Sequence, residues 1–263
     1  MNAFWNSVVR PFLVALRACA VIEIGADTGK MTKPLLEFAT ATNAVVDVID
    51  PTPKFDVAEF EEQFGDAMRF HRARSHDVLE AITPADVVLI DGDHNWYTVH
   101  GELQRLESVA RNAKREFPLV MLHDIEWPYG RRDLYYDPES IPEAWRQPWA
   151  NGGVVWGEAV LSQTLGMNRH CAHALEEGTP RNGVLTAVED FLTETSMQLE
   201  FQIVPGHYGL GILIPAAVLD AQPAVRAQWE RLASPEFLLA HSKELYGSIM
   251  EFLYSAPAAR DRS

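Results

Sequence analysis

From residue 20 to residue 124 the chain repeats one pattern: a short apolar run, a turn, then a segment with helical spacing. The apolar runs are "AVIEI" (20–24), "NAVVDVID" (43–50), "RFHRA" (69–73), "ADVVLID" (85–91) and "PLVMLHD" (118–124). Helical segments fall between them, at about 28–41, 57–68, 76–82 and 97–116. Runs with little polar alternation suit strands buried on both faces, and strands separated by helices pair in parallel through right-handed crossovers. The rhythm breaks in "EFQIVPGHYGLGILIP" (200–215), where two strand-like runs flank a Pro-Gly turn and predict an antiparallel hairpin. The expected fold is therefore α/β: a doubly wound, mostly parallel seven-stranded sheet with helices on both faces and an antiparallel terminal hairpin.

A chain of 263 residues, 47% apolar, can bury a full core as a single domain spanning 1–263, with an insertion at 125–180. Its formal net charge of −15 repels phosphate backbones, and its densest basic run, "RFHRAR" (69–74), is short. A nucleic-acid partner is not expected. Two cysteines, Cys19 and Cys171, imply no disulfide framework and a reducing compartment. The stretch "FWNSVVRPFLVALRACAVIEIG" has a faint leader-like look, but Arg10, Pro11 and Arg17 interrupt it and it runs into the first strand. No apolar span reaches membrane length, so a cytoplasmic protein with no membrane partner is expected. A homo-oligomer stays open, and the polar tail "PAARDRS" closes the chain.

The turn after the first strand, in "VIEIGADTGKMT" (21–32), narrows the ligand. A phosphate-binding loop needs four residues between its glycines and Ser or Thr after the lysine. Here three residues separate Gly25 from Gly29, and Met31 follows Lys30. A dinucleotide fingerprint needs a second glycine at position 27, which is Asp27. What remains is Glu23, Gly25 and Gly29, with Asp50 ending the second strand before Pro51. This set resembles the first motif of class I S-adenosylmethionine (SAM)-dependent methyltransferases, whose fold is Rossmann-like. The resemblance implies SAM as cofactor, with Gly25 and Gly29 letting backbone approach its methionine part and Asp50 accepting hydrogen bonds from its ribose.

Ligands of open α/β sheets bind beyond the carboxyl ends of the strands. Asp91 and His94 lie there after the fourth strand, and His123 and Asp124 after the fifth. Neighbouring strand ends are about 5 Å apart, so the four side chains can converge. The layout resembles the metal-dependent O-methyltransferases that act on sugars of macrolides and related glycosides, and more loosely the cephalosporin-hydroxylase-like branch of that superfamily. The resemblance implies Asp91 and Asp124 as ligands of a divalent metal, magnesium first, and His94 as general base. His123 stands where those relatives carry an acidic residue. It either ligates the metal, which suits manganese or another transition ion better than magnesium, or supports a ligand, or packs. The chemistry is coherent: SAM brings its own leaving group, whereas an alcohol needs a cation to acidify it and a base to take its proton.

The insertion holds Trp127, Trp145, Trp149 and Trp156 with Tyr129, Tyr135 and Tyr136. Long segments of this kind are commonly lids, and aromatic faces suit sugar rings, although packing onto the core accounts equally well for any single ring. Arg131 and Arg132 either bind an acidic substituent or clamp the lid, and Arg181 and Asn182 are candidates to line the cleft. "HCAH" (170–173) lacks further spaced ligands and is read as structural. The expected partner is a small-molecule or oligosaccharide hydroxyl acceptor. Two alternatives remain: a methyltransferase acting on a phenolic or peptide group, and a module that binds SAM or a nucleotide without catalysis.

Overall fold

A computed structural model describes residues 1–255, so the polar tail lies outside the described residues. In chain order the elements are α1 (Arg10–Leu16), β1 (Ala20–Ile24), α2 (Thr32–Thr42), β2 (Val45–Ile49), α3 (Val57–Phe64), β3 (Met68–His71) and α4 (Ser75–Val78). Then come β4 (Val87–Ile90), α5 (Trp96–Ala113), β5 (Leu119–His123), β6 (Leu134–Tyr135), β7 (Trp149–Asn151) and β8 (Ala172–Ala174). The chain continues through α6 (Val184–Glu194), β9 (Leu199–Val204), β10 (Leu210–Pro215), α7 (Ala216–Ala221), α8 (Pro223–Arg231) and α9 (Pro235–Ser255).

Seven strands form one sheet in the order β3-β2-β1-β4-β5-β10-β9. Strands β1 to β5 pair in parallel, while β10 runs antiparallel to both β5 and β9. This is the expected doubly wound sheet with its terminal hairpin. The order reverses direction between β1 and β4, which makes their carboxyl ends the switch point where such sheets bind ligands. Every residue of β4 and β5 is buried, as the unbroken apolar runs require. Side chains alternate between two cores. Val87 and Leu89 face Phe12, Leu35 and Leu36, whereas Val88 and Ile90 face Val99, Leu103 and Val188.

One local expectation changes, and two segments gain detail. Helix α2 starts at Thr32, not near Thr28, because Asp27 (φ 45°) and Gly29 (φ 74°) sit in the left-handed region and cannot continue a helix. The leader-like stretch belongs to the core: Phe4, Val8, Val9, Phe12 and Leu13 are fully buried. The segment 125–180 carries a small antiparallel sheet of its own, in the order β6-β8-β7. Among the described residues, no helix is long and apolar enough to cross a membrane.

Helix α4 is locked to α5 by an interior carboxyl. Ser75 Oγ donates to Glu102 Oε1 at 2.5 Å, while Glu102 Oε2 has no partner. Burial pushes the Glu102 pKa from 4.5 up to about 8. The folded state thus holds a proton that the unfolded chain releases above about 4.5. The resulting stabilisation is complete below that pH and is lost as pH rises through about 8. Glu102→Gln keeps an acceptor for Ser75 and removes the titration. Urea unfolding at pH 5 and pH 8 is expected to show a smaller pH-dependent loss in the variant, by on the order of a few kcal/mol. Equal losses in the two proteins would place the Glu102 proton elsewhere.

Candidate active site

The register of the sheet puts the candidate residues along one edge. Ile24 is level with Ile49 on one side and Ile90 on the other, and Ile90 is level with Leu122. The ladder continues one residue past each strand: Gly25 N–H donates to Ile49 O at 2.9 Å and Asp91 N–H to Ile24 O at 2.8 Å. Asp50 N–H likewise donates to His71 O at 3.1 Å. Gly25, Asp50, Asp91 and the His123-Asp124 pair therefore stand in a row at the carboxyl ends of β1, β2, β4 and β5.

At the first of these ends the chain crowds itself. A Cβ on Gly25 (φ 87°) would overlap the Asp91 carbonyl and lie 2.5 Å from Gly92 Cα. The close approach that requires a glycine here is made by the β4 end, where the sequence reading expected a ligand. Asp50 is also engaged by the chain. Its Oδ2 accepts from Ala26 N–H (2.9 Å) and Asp27 N–H (2.8 Å), and its Oδ1 from Thr52 N–H (2.7 Å). A carboxylate offers about four acceptor positions, so roughly one is left for a ligand hydroxyl. Glu23 differs: it is 2% exposed, and the polar side chain beside it is the Thr32 hydroxyl at the start of α2. Burial, partly offset by the neighbouring Thr32 hydroxyl and reinforced by Asp91 and Asp50, pushes its pKa up to about 8. Glu23 thus sits beneath the glycine turn as an interior acid.

At the β4 and β5 ends the groups converge. His123 Nδ1 lies 3.1 Å from Asp91 Oδ1 and 2.8 Å from Asp124 Oδ2, and one donor atom of each residue falls within 4.8 Å of the others. The Met1 ammonium donates to Asp91 Oδ2 at 2.9 Å. Burial alone would lower the His123 pKa, but Asp91 and Asp124 outweigh it and push it up to about 9. Burial would likewise raise Asp91, but the facing His123 holds its carboxyl well below the usual range. Two carboxylates and one imidazole make a donor set that fits a divalent ion with one nitrogen ligand, provided Nδ1 gives up its proton. Asp124 has φ 59°, an uncommon conformation of the kind that gathers at functional sites.

His94 projects from the turn between β4 and α5, with Nδ1 3.6 Å from Asp124 Oδ2. Tyr129 stacks on its ring (centroids 5.4 Å apart, planes 7° apart), and Tyr136 meets it edge-on at 5.9 Å. All four residues expected at the β4 and β5 ends are thus brought together, with two tyrosines of the insertion against them. The arginines turn away. Arg131 pairs with Glu189 on α6 at 2.6 and 2.7 Å. Arg132, fully buried, donates to the carbonyls of Ala174, Leu175 and Ala159. Both clamp the insertion. Arg181 lies over the Trp145 and Trp96 rings, Asn182 is buried, and His173 of "HCAH" is buried within β8.

One node had no sequence signal. Asp133, fully buried, accepts from Trp96 N–H (2.7 Å), Gly183 N–H (2.6 Å) and Tyr135 Oη–H (2.7 Å). Its own N–H donates to Asn182 Oδ1 at 2.7 Å. This carboxylate ties the starts of α5 and α6 to the insertion and so fixes the roof over His94.

No protein-family model and no curated protein matches the chain. Among solved structures it is similar to an SAH-bound methyltransferase of Podospora anserina: 13% identity, 78% of this chain and 76% of that one covered, TM-score 0.48. It is also similar to the Burkholderia thailandensis 1,6-didemethyltoxoflavin-N1-methyltransferase, at 16% identity, 78% and 76% coverage and TM-score 0.41. Human N-acetylserotonin methyltransferase in complex with SAM gives 14% identity, 81% and 53% coverage and TM-score 0.43.

Proposed function

We propose that this chain is a SAM-dependent O-methyltransferase acting on a hydroxyl of a sugar or glycoside, with a divalent metal ion and His94 as general base. One observation carries the reading. The glycine turn of β1, the acid at the end of β2 and the Asp91–His94–His123–Asp124 cluster share the switch-point edge of a sheet with the strand order of class I methyltransferases.

Each residue then has a role. Glu23, Gly25, Gly29 and Asp50 would hold SAM, with the remaining acceptor position of Asp50 open to a ribose hydroxyl. When bound, SAM supplies an electrophilic methyl group on a positively charged sulfur. Asp91 and Asp124, with His123, would hold the divalent ion, magnesium or manganese, whose chemistry here is to acidify the acceptor hydroxyl. His94 takes the hydroxyl proton. The insertion 125–180 acts as a lid that keeps water from the site, and its exposed Tyr136, Trp149 and Trp156 offer ring faces to a small-molecule or oligosaccharide acceptor.

The test is transfer of labelled methyl from SAM to a panel of glycosides, with and without chelator. Transfer is expected to stop on chelation and to return with magnesium or manganese. Asp91→Ala is expected to abolish turnover while calorimetric titration shows SAM affinity within a few-fold of native. Undiminished transfer in chelator sinks the metal assignment. A wild-type protein that does not bind SAM sinks the whole reading.

A further inference from the structure

We propose that Tyr129 is a positioning residue for His94, backed by the buried His173, so that the insertion sets the orientation of the base. The proposal rests on the reading of His94 as general base.

Three rings lie in one near-parallel stack. His94 and Tyr129 are 5.4 Å and 7° apart, and Tyr129 and His173 are 5.9 Å and 11° apart. The first ring comes from the sheet edge and the other two from the insertion. Among the described residues no hydrogen bond within 3.5 Å orients the His94 ring, whose nearest carboxylate is Asp124 at 3.6 Å. A proton acceptor must be held within a narrow distance and angle of its donor. With no hydrogen bond to fix the ring, its rotation is limited by what lies against its face and edge, namely Tyr129 and Tyr136.

Tyr129 is itself well held. Its hydroxyl accepts from Asn168 Nδ2 at 2.5 Å, and its carbonyl accepts from Val184 N–H at the start of α6 at 2.9 Å. His173 closes the far side of the stack with no exposed surface, its ring set against the backbone of Gly152 and Cys171. Burial holds it neutral, so it acts as a flat wall and adds no charge of its own beside the base. Asn168 and His173 both lie in the insertion, so its seating on the sheet and the setting of the base are one event.

The test joins spectroscopy to kinetics. In the unmodified protein carrying carbon-13-labelled histidine, the His94 ring protons, assigned by their loss in His94→Gln, are expected to show nuclear Overhauser contacts with Tyr129. They are also expected to show the upfield shift of a stacked ring. Tyr129→Leu and the longer, unbranched Tyr129→Met should both remove that shift and lower kcat by about tenfold to a hundredfold, with KM for SAM unchanged. Tyr129→Phe should restore both. The proposal is overturned if the wild-type contacts are missing, if the His94 signals keep their positions without the aromatic ring, or if Phe behaves like Leu. Absence of any SAM-dependent transfer by the wild-type protein would count against the proposed function instead, and the ring signals would still decide whether Tyr129 orients His94.

Discussion

His94→Ala is expected to lower the single-turnover rate of methyl transfer by about a hundredfold to ten-thousandfold, the range for loss of a general base. The geometry singles this residue out. His94 is seated in an aromatic frame, and it is the histidine at the β4 and β5 ends whose ring is not committed to two carboxylates. His123 is so committed, through Nδ1 to Asp91 and Asp124, and as a ligand of the proposed ion it would have that nitrogen occupied. It has little capacity to take a further proton. His100 is remote from this edge: it bonds Glu194 at 3.0 Å and stacks on Trp96 within α5. Rapid-quench measurement of the three alanine variants, at saturating SAM and metal, separates the candidates. SAM and metal affinity should stay near native in His94→Ala, since neither requires that ring. Should His94→Ala keep a near-native rate while His123→Ala loses it, the roles of the two residues are reversed.

Gly25→Val is expected to cost about 2–6 kcal/mol of folding stability, and not merely to weaken SAM binding. The added Cβ would meet backbone atoms of Asp91 and Gly92, which cannot rotate away, and a β-branched residue is strained at φ 87°. Overlap and strain each cost about 1–3 kcal/mol, against a total stability of about 5–15 kcal/mol for a typical domain. Moving the β4 end to relieve the clash would also displace Asp91. Gly29 is a milder case, because its Cβ would lie 3.1 and 3.2 Å from the side chains of Phe55 and Phe60, which can shift. Thermal unfolding followed by circular dichroism is expected to rank the proteins as wild type, Gly29→Ala, then Gly25→Val. A Gly25→Val protein with a native melting curve and selective loss of SAM binding would show that the β4 backbone does not approach this closely.

The two outcomes bear on how far a sequence of this kind can be read. The row of Gly25, Asp50, Asp91 and Asp124 was legible because each residue follows an apolar run. In a parallel sheet the ends of such runs come into line whatever the helices between them do. What faces Gly25 was not legible. Its neighbour comes from β4, and a glycine signals a close approach without saying from where. Asp50 was placed correctly at its strand end, but nothing local indicated that Ala26, Asp27 and Thr52 would occupy most of its acceptor positions.

The insertion marks the other boundary. Its strands are two or three residues long, too short for a period-two pattern to register. Asp133 meets partners 37 and 50 residues away, and Ser75 meets Glu102 across 27. The sequence by itself determined the doubly wound sheet, its antiparallel end and which residues reach the carboxyl edge of its parallel strands, since these follow from local periodicity and the right-handed crossover. Only the tertiary structure decided that His123 sits between Asp91 and Asp124, that Tyr129 and His173 stack on His94, and that both arginines serve the insertion. Those contacts join side chains from elements far apart in the chain, and packing, not spacing, selects them.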